Sequence, residues 1–289
     1  MHERGTPHYG GPVTDDAPTS HPVSGADCAG EVLDEGALVL RWHPVGSEPV
    51  LFSHPTLPVR SGTPPHAGIP VCWPWFGAGR HGDKAPSHGW VRSTRWHLLE
   101  EVADARGGTV RMGLSSRDSG SLQWPHPYRL ELVARMGREL EVSLSTTNPG
   151  REPVVVEEAL HAYLAVGDVR QVSIGGLDGA RFHDKVTGRD ETQRGDLVLD
   201  GETDRVYRSD AAVTVTDPVL GRRLRVETEG AADRVVWNPG PDKGPGIPDI
   251  GDEWPRFVCV EAANALADVV TVGPGETHTL TYRLSVEDL

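Results

Sequence analysis

The sequence predicts an all-β fold, a large antiparallel β-sandwich. Short runs alternate apolar and polar residues at period two, with turn residues between them. No segment longer than about ten residues holds a clean helical period. The chain has 289 residues with 34 Gly and 24 Pro, punctuation that suits many short strands.

The elements follow in order. Residues 1–28 are rich in Pro, Gly, Ser, Thr and Asp and lack a hydrophobic period. They read as a disordered tail, and residues 29–289 as one domain. ALVLRW (37–42) and PVLFS (49–53) flank a turn and predict a hairpin. RLELVARM (129–136) and ELEVSLST (139–146) predict a second, with Leu140, Val142 and Leu144 on one face. AVTVTD (212–217) and RLRVET (223–228) predict a third. THTLTYRLSV (277–286) places Leu280, Tyr282, Leu284 and Val286 on one face. Two stretches break this rhythm, residues 60–92 and 237–256, long Gly/Pro-rich loops carrying Trp, His and charged residues. Long loops in compact domains tend to carry function.

Composition narrows the function. The formal net charge is −14, which disfavours nucleic acid and anionic membrane as partners. Three dispersed cysteines fit a reducing compartment and no disulfide framework. No run approaches the ~20 apolar residues of a membrane span, and the first residues lack a signal peptide's apolar core. The expected location is the cytoplasm, the expected state a monomer. There is no zinc-type Cys/His cluster, GxGxxG, Walker loop, HExxH or GxSxG elbow. Neither metal nor cofactor is expected, and the partner is a small molecule.

Three places could carry chemistry. Trp73, Trp75 and Trp90 stand in the first long loop with His66, His81, His88 and Arg92. Indole faces and polar forks suit a sugar; the plainer reading is loop packing. His161 shares one face of its run with Ala159 and Tyr163, either as a structural strand histidine or as a proton shuttle. Glu261 ends the apolar run FVCVE (257–261). It is either solvated at a sheet edge or aimed into a cleft, where its burial would imply a purpose.

Several segments together resemble the glucose-6-phosphate 1-epimerase family, the hexose-6-phosphate mutarotases within the aldose 1-epimerase group. They are GIPVCWPWFG (68–77), SHGWVR (87–92), ALHAYLAVGDV (159–169), GLDGARFHDKV (176–186), VVWNP (235–239) and FVCVEAANA (257–265). WPHPYRLEL (124–132) and ETDRVY (202–207) join them in the same order, so the likeness covers roughly residues 33–285. It implies a galactose mutarotase-like supersandwich that interconverts α and β anomers of glucose 6-phosphate or a related hexose 6-phosphate. It implies His161 as general acid and Glu261 as general base, with Arg92, Asp204 and His88 at the substrate. Ordinary carboxyl and imidazole values allow a Glu⁻/His⁺ pair near neutral pH if the site raises the imidazole slightly. Two positions depart from the family pattern. His66-Ala67-Gly68 stands where Arg-Gly-Gly is usual, that Arg being a phosphate contact, and Ser87 stands where Gln is frequent. Arg60, Arg80 or Lys84 of the same loop is then expected to supply the missing charge. The alternatives are a mutarotase for unphosphorylated hexoses and a non-catalytic sugar-binding or sensing protein.

Overall fold

The computed structural model describes residues 17–289. Two large antiparallel sheets dominate. One runs in spatial order Leu197–Val198, Ser173–Gly175, Val213–Asp217, Arg222–Glu229, Thr277–Asp288, Leu140–Thr147, Arg129–Met136, Gly108–Ser115, His97–Ala103. The other runs Arg189–Thr192, Arg181–Asp184, Thr203–Arg208, Asp233–Asn238, Phe257–Asn264, Glu158–Leu160, Val71–Cys72, with Tyr163–Ala165 also on Phe257–Asn264. A three-stranded sheet, Ser20–Ser24, Cys28–Leu33 and Leu38–Pro44, stands beside them.

Alternation explains the core. Leu140, Val142 and Leu144 are fully buried and lie opposite Leu284, Tyr282 and Leu280. From the second sheet Leu160, Val236, Val258, Val260 and Ala262 join the same buried cluster. The Tyr282 hydroxyl donates to the Val260 carbonyl at 3.1 Å, joining the two layers. Each large side chain buried there contributes about 1.5–3 kcal/mol. The hairpins of 129–146 and 212–228 form in the expected registers.

Two expectations need correction. Ser20–Ser24 pairs with Cys28–Leu33, and Cys28 is buried, so the tail boundary at residue 28 is set too late. This strand is short and holds Pro22 at the sheet's edge, where a missing N–H is tolerated. That left little pattern to detect. Residues 1–16 of the expected tail lie outside the described residues. The hairpin of 37–42 with 49–53 does not form. Leu38–Pro44 pairs instead with Cys28–Leu33, while Leu51 bridges Leu164. Arg222 captures the carbonyls of Glu48, Pro49 and Ala165 at 2.8–2.9 Å. A single bond, Val50 N–H to the Trp42 carbonyl at 3.3 Å, remains of the expected pairing. No helix among the described residues is long and apolar enough to cross a membrane.

Candidate active site

Glu261 sits where strand alternation turns it away from the inter-sheet core. All eight residues of Phe257–Asn264 are buried. Val258, Val260 and Ala262 enter the main core, while Cys259 and Ala263 belong to clusters on the opposite face. Glu261 shares that opposite face. The strand does not end at this carboxylate, as the sequence suggested. Pairing continues through Asn264, so Glu261 is mid-strand with neighbours on both sides. On one side the neighbouring chain is interrupted between Glu158–Leu160 and Tyr163–Ala165. His161 fills the break, its N–H donating to the Pro70 carbonyl at 3.0 Å.

The two side chains meet. His161 Nε2 lies 3.3 Å from Glu261 Oε1, with the side chains 8% and 1% exposed. The contact is not aligned as a hydrogen bond: both Glu261 oxygens and His161 Nδ1 are buried without a hydrogen-bond partner. The His161 ring stacks on Tyr163 at 4.9 Å and meets His88 and Trp237 edge-on at 5.6 and 6.0 Å.

Burial dominates the electrostatics. It pushes the Glu261 carboxyl well above its ordinary range; Asp204 adds to this, while Lys185 and Arg92 oppose it. Burial also pushes His161 well below its ordinary range, helped by Arg92 and His66. Burial therefore favours the protonated form of Glu261 and the neutral form of His161. This reverses the Glu⁻/His⁺ pair expected from ordinary values, because loss of water outweighs attraction between partners that are not hydrogen-bonded. The pair still holds one proton in total.

A cleft of about 480 Å³ opens over this pair. It gathers all five predicted residues, since His88, Arg92 and Asp204 line it with His161 and Glu261. Arg92 donates to the Ser87 carbonyl at 2.9 Å, and its buried Nε has no hydrogen-bond partner. Asp204 Oδ2 lies 3.0 Å from Lys185 Nζ. His88 Nδ1 accepts the Gly77 N–H at 3.3 Å, which leaves the ring proton on Nε2. Burial, then His161, lowers the His88 value well below normal, so this imidazole is neutral. His88 and Gly89 both have positive φ, 65° and 74°. A Cβ at Gly89 would stand 1.8 Å from the Trp73 carbonyl oxygen, so only glycine fits there.

Other parts of the lining differ from what the sequence predicts. Trp73 and Trp75 do not reach the cleft. They are buried with Trp124 and Tyr128 in an aromatic cluster within the core, with the partly buried Trp90 packed against it, the packing reading of that loop. The aromatic rings of the cleft are Phe76, Tyr163 and Trp237. Arg60, Arg80 and Lys84 are not among its lining residues. Arg80 Nε donates to His81, and Lys84 lies 3.5 Å from Asp83. The cations present besides Arg92 are Lys185 and Lys243. Lys185 follows His183 at period two, a signal that was available; Lys243, in a Gly/Pro-rich loop, had none. His66 and Ser87 both line the cleft. His66 Nδ1 lies 2.7 Å from Asp249 Oδ1, and its ring stacks on Trp237 at 6.2 Å. Among the described residues no group of three or more His, Cys, Asp or Glu is placed to hold a metal ion.

A β-sandwich with a histidine–carboxylate pair in a cleft on one sheet has relatives in both sequence and structure. Residues 24–285 match the aldose 1-epimerase family model, and the chain belongs to that family. A protein of Escherichia coli K12 named "Putative glucose-6-phosphate 1-epimerase" is 36% identical over 237 residues, spanning 80% of this chain and 78% of its own. A protein of the same name from Cenchrus ciliaris is 29% identical over 263 residues, 86% of this chain and 79% of its own. A solved structure from Salmonella typhimurium, described as "a putative mutarotase (YeaD)", superposes with a TM-score of 0.87. It is 30% identical and covers 94% of this chain and 92% of its own.

Proposed function

We propose that this protein is a hexose-6-phosphate mutarotase that interconverts the α and β anomers of glucose 6-phosphate or a close relative. The observation that carries the reading is the His161–Glu261 contact at 3.3 Å, buried yet without hydrogen bonds. An unsatisfied buried carboxylate costs stability, and a protein that only binds sugar has no need of it. Family membership and the names of the relatives support the same reading.

The chemistry requires one acid and one base. One group removes the proton from the C1 hydroxyl while the other delivers a proton to the ring oxygen. The C1–O5 bond breaks and leaves an aldehyde at C1 and a hydroxyl at C5. Rotation about C1–C2 and closure on the other face of the carbonyl reverse both transfers. The pair begins and ends each cycle with one proton, so no net exchange with water is needed. We assign donation to the ring oxygen to His161 and abstraction from the C1 hydroxyl to Glu261, the family roles. The proton moves from Glu261 to His161 once the sugar's hydroxyls supply the hydrogen bonds that no side chain or backbone group gives the pair.

Arg92, Lys185, Lys243 and His66, which line the same cleft, offer donors for a phosphate. His88, with its Nε2 proton, and Asp204 are assigned to sugar hydroxyls. Three free, buried cysteines fit work in a reducing cytoplasm, and the strong net charge fits a monomer.

Anomer exchange should be followed by polarimetry on glucose 6-phosphate, glucose and galactose. The expected result is the highest kcat/KM for glucose 6-phosphate, falling mainly through KM in His66→Ala and Lys243→Ala. Equal efficiency on all three sugars would remove the phosphate from the proposal.

A further inference from the structure

One carboxylate, far along the chain, holds His66 at two points. The His66 backbone N–H donates to Asp249 Oδ2 at 2.9 Å, and its Nδ1–H donates to Asp249 Oδ1 at 2.7 Å. Both residues are fixed from behind. Gly68, two residues on, donates its N–H to the Phe52 carbonyl at 2.8 Å. Its φ is 60°, and a Cβ there would stand 2.3 Å from the Val39 carbonyl oxygen. Ile250, fully buried with Phe52, Tyr163 and Phe257, anchors the loop that presents Asp249.

Burial raises the Asp249 carboxyl, but the His66 hydrogen bond and charge outweigh it and leave the value below the ordinary range. Asp249 is therefore an anion that only accepts, and the His66 ring carries a proton on Nδ1. Nε2, across the ring, makes no hydrogen bond with the described residues. His66 lines the cleft and Asp249 does not, so Nε2 is the ring nitrogen that a ligand in the cleft can reach. Trp237, stacked at 6.2 Å, and Tyr163, edge-on at 6.1 Å, fix the tilt of the ring. Tyr163 also stacks on His161 at 4.9 Å, so a single ring separates His66 from the acid/base pair.

The state of Nε2 decides what it reads. Without a second proton it is a lone pair, which repels an anionic oxygen. With that proton it is a charged donor, which binds one. Asp249 favours the second state by its charge. The cations of the cleft oppose it, but Lys185 is paired with Asp204 at 3.0 Å and Lys243 with Glu202 at 2.6 Å, which leaves Arg92. Burial keeps His88, His161 and Glu261 in their uncharged forms. Behind the ring, Arg41 lies 3.7 Å from Glu31, and His54 Nδ1 accepts the Thr56 and Leu57 N–H groups. Among all these, Asp249 is the carboxylate hydrogen-bonded to the ring.

We propose that Asp249 is a positioning and specificity-determining residue, which orients His66 and holds the second proton on its ring so that the cleft prefers a hexose bearing an anionic ester group. The proposal rests on the mutarotase reading above. The preference then falls as rising pH removes that proton, which a permanently charged side chain would not show.

Anomer exchange of glucose 6-sulfate and of glucose by the full chain tests this from about pH 5.5 to 8.5, the imidazole range. The sulfate ester keeps one charge throughout, whereas a phosphate ester titrates near about 6. The ratio of the two kcat/KM values cancels the titration of His161 and Glu261. In wild type this ratio should fall about tenfold across the window, the effect of one charge-assisted hydrogen bond. Asp249→Asn should lower it about tenfold at the acid end and flatten the profile. His66→Arg should keep the ratio high at every pH. A flat profile in wild type, or the wild-type profile in Asp249→Asn, would overturn the proposal. An equal loss on both sugars in Asp249→Asn, the mark of a structural role, would overturn it too. Catalysed exchange with no preference for the sulfate ester at acid pH would overturn it and leave the mutarotase reading standing. Exchange of neither sugar, nor of glucose 6-phosphate, above the spontaneous rate would overturn the mutarotase reading itself.

Discussion

Glu158 and Glu261 are the same residue type on adjacent strands of one sheet, both with no exposed surface, and their surroundings are opposite. Glu158 accepts from Thr146 Oγ1 at 3.3 Å and Asn264 Nδ2 at 3.1 Å, and lies 2.9 Å from His278 Nε2. Neither oxygen of Glu261 has a hydrogen-bond partner. A buried carboxylate supplied with three donors helps hold its strands together. A buried carboxylate left without any raises its own pKa and lowers stability, and such groups concentrate where chemistry is done. The difference lies in what stands around each side chain, since composition and burial are shared.

The contrast can be broken from the stable side first. Glu158→Ala should cost about 3–5 kcal/mol, because it removes the buried acceptor shared by Thr146, Asn264 and His278. Urea unfolding reads this as a lower midpoint at unchanged slope. A loss below about 1 kcal/mol would mean that the Glu158 contacts hold nothing.

Glu261→Gln should act in the other direction. The folded-state carboxyl value lies above the unfolded one, so folding takes up a proton between them. The wild type therefore loses stability as pH rises through that window. The glutamine variant should melt several degrees higher than wild type at pH 8, about the effect of 1–2 kcal/mol in a chain of this size, with a smaller gap at pH 5. A variant less stable at both pH values would show that the carboxylate is satisfied in solution.

His278 offers the smallest and sharpest check. Its contact with Glu158 raises the imidazole value. The stabilisation is complete below the unfolded value of about 6.5 and is lost as pH rises through the folded value. The stability gap between wild type and His278→Gln should be widest near pH 5 and narrow above pH 8. Its size should be about 1 kcal/mol or less, since the group is partly solvated.

Much of this arrangement was legible in the chain. Period-two runs located the strands of 129–146, 212–228 and 277–286, because local alternation is a direct consequence of one buried face. The resemblance pointed to His161 and Glu261, and the structure brings the two into contact. What the sequence hid was long-range. Whether a buried glutamate meets Thr146, Asn264 and His278 or finds no hydrogen-bond partner depends on strands far apart in the chain. The same holds for the capture of 48–49 by Arg222 and for the inward turn of Trp73 and Trp75. Lys243 reaches the cleft through a loop whose path no periodicity describes.

The unsatisfied carboxylate is proposed as the reactive one and the satisfied carboxylate as structural. Exchange NMR between the anomers of glucose 6-phosphate separates the two roles, with Glu261→Gln and Glu158→Gln measured side by side at a temperature where both are folded. Glu261→Gln should lose about 10²–10⁴-fold in catalysed exchange, the range of one acid/base group. Glu158→Gln should stay within about tenfold of wild type per folded molecule. Equal rates for Glu261→Gln and wild type, or equal losses in both variants, would contradict this assignment.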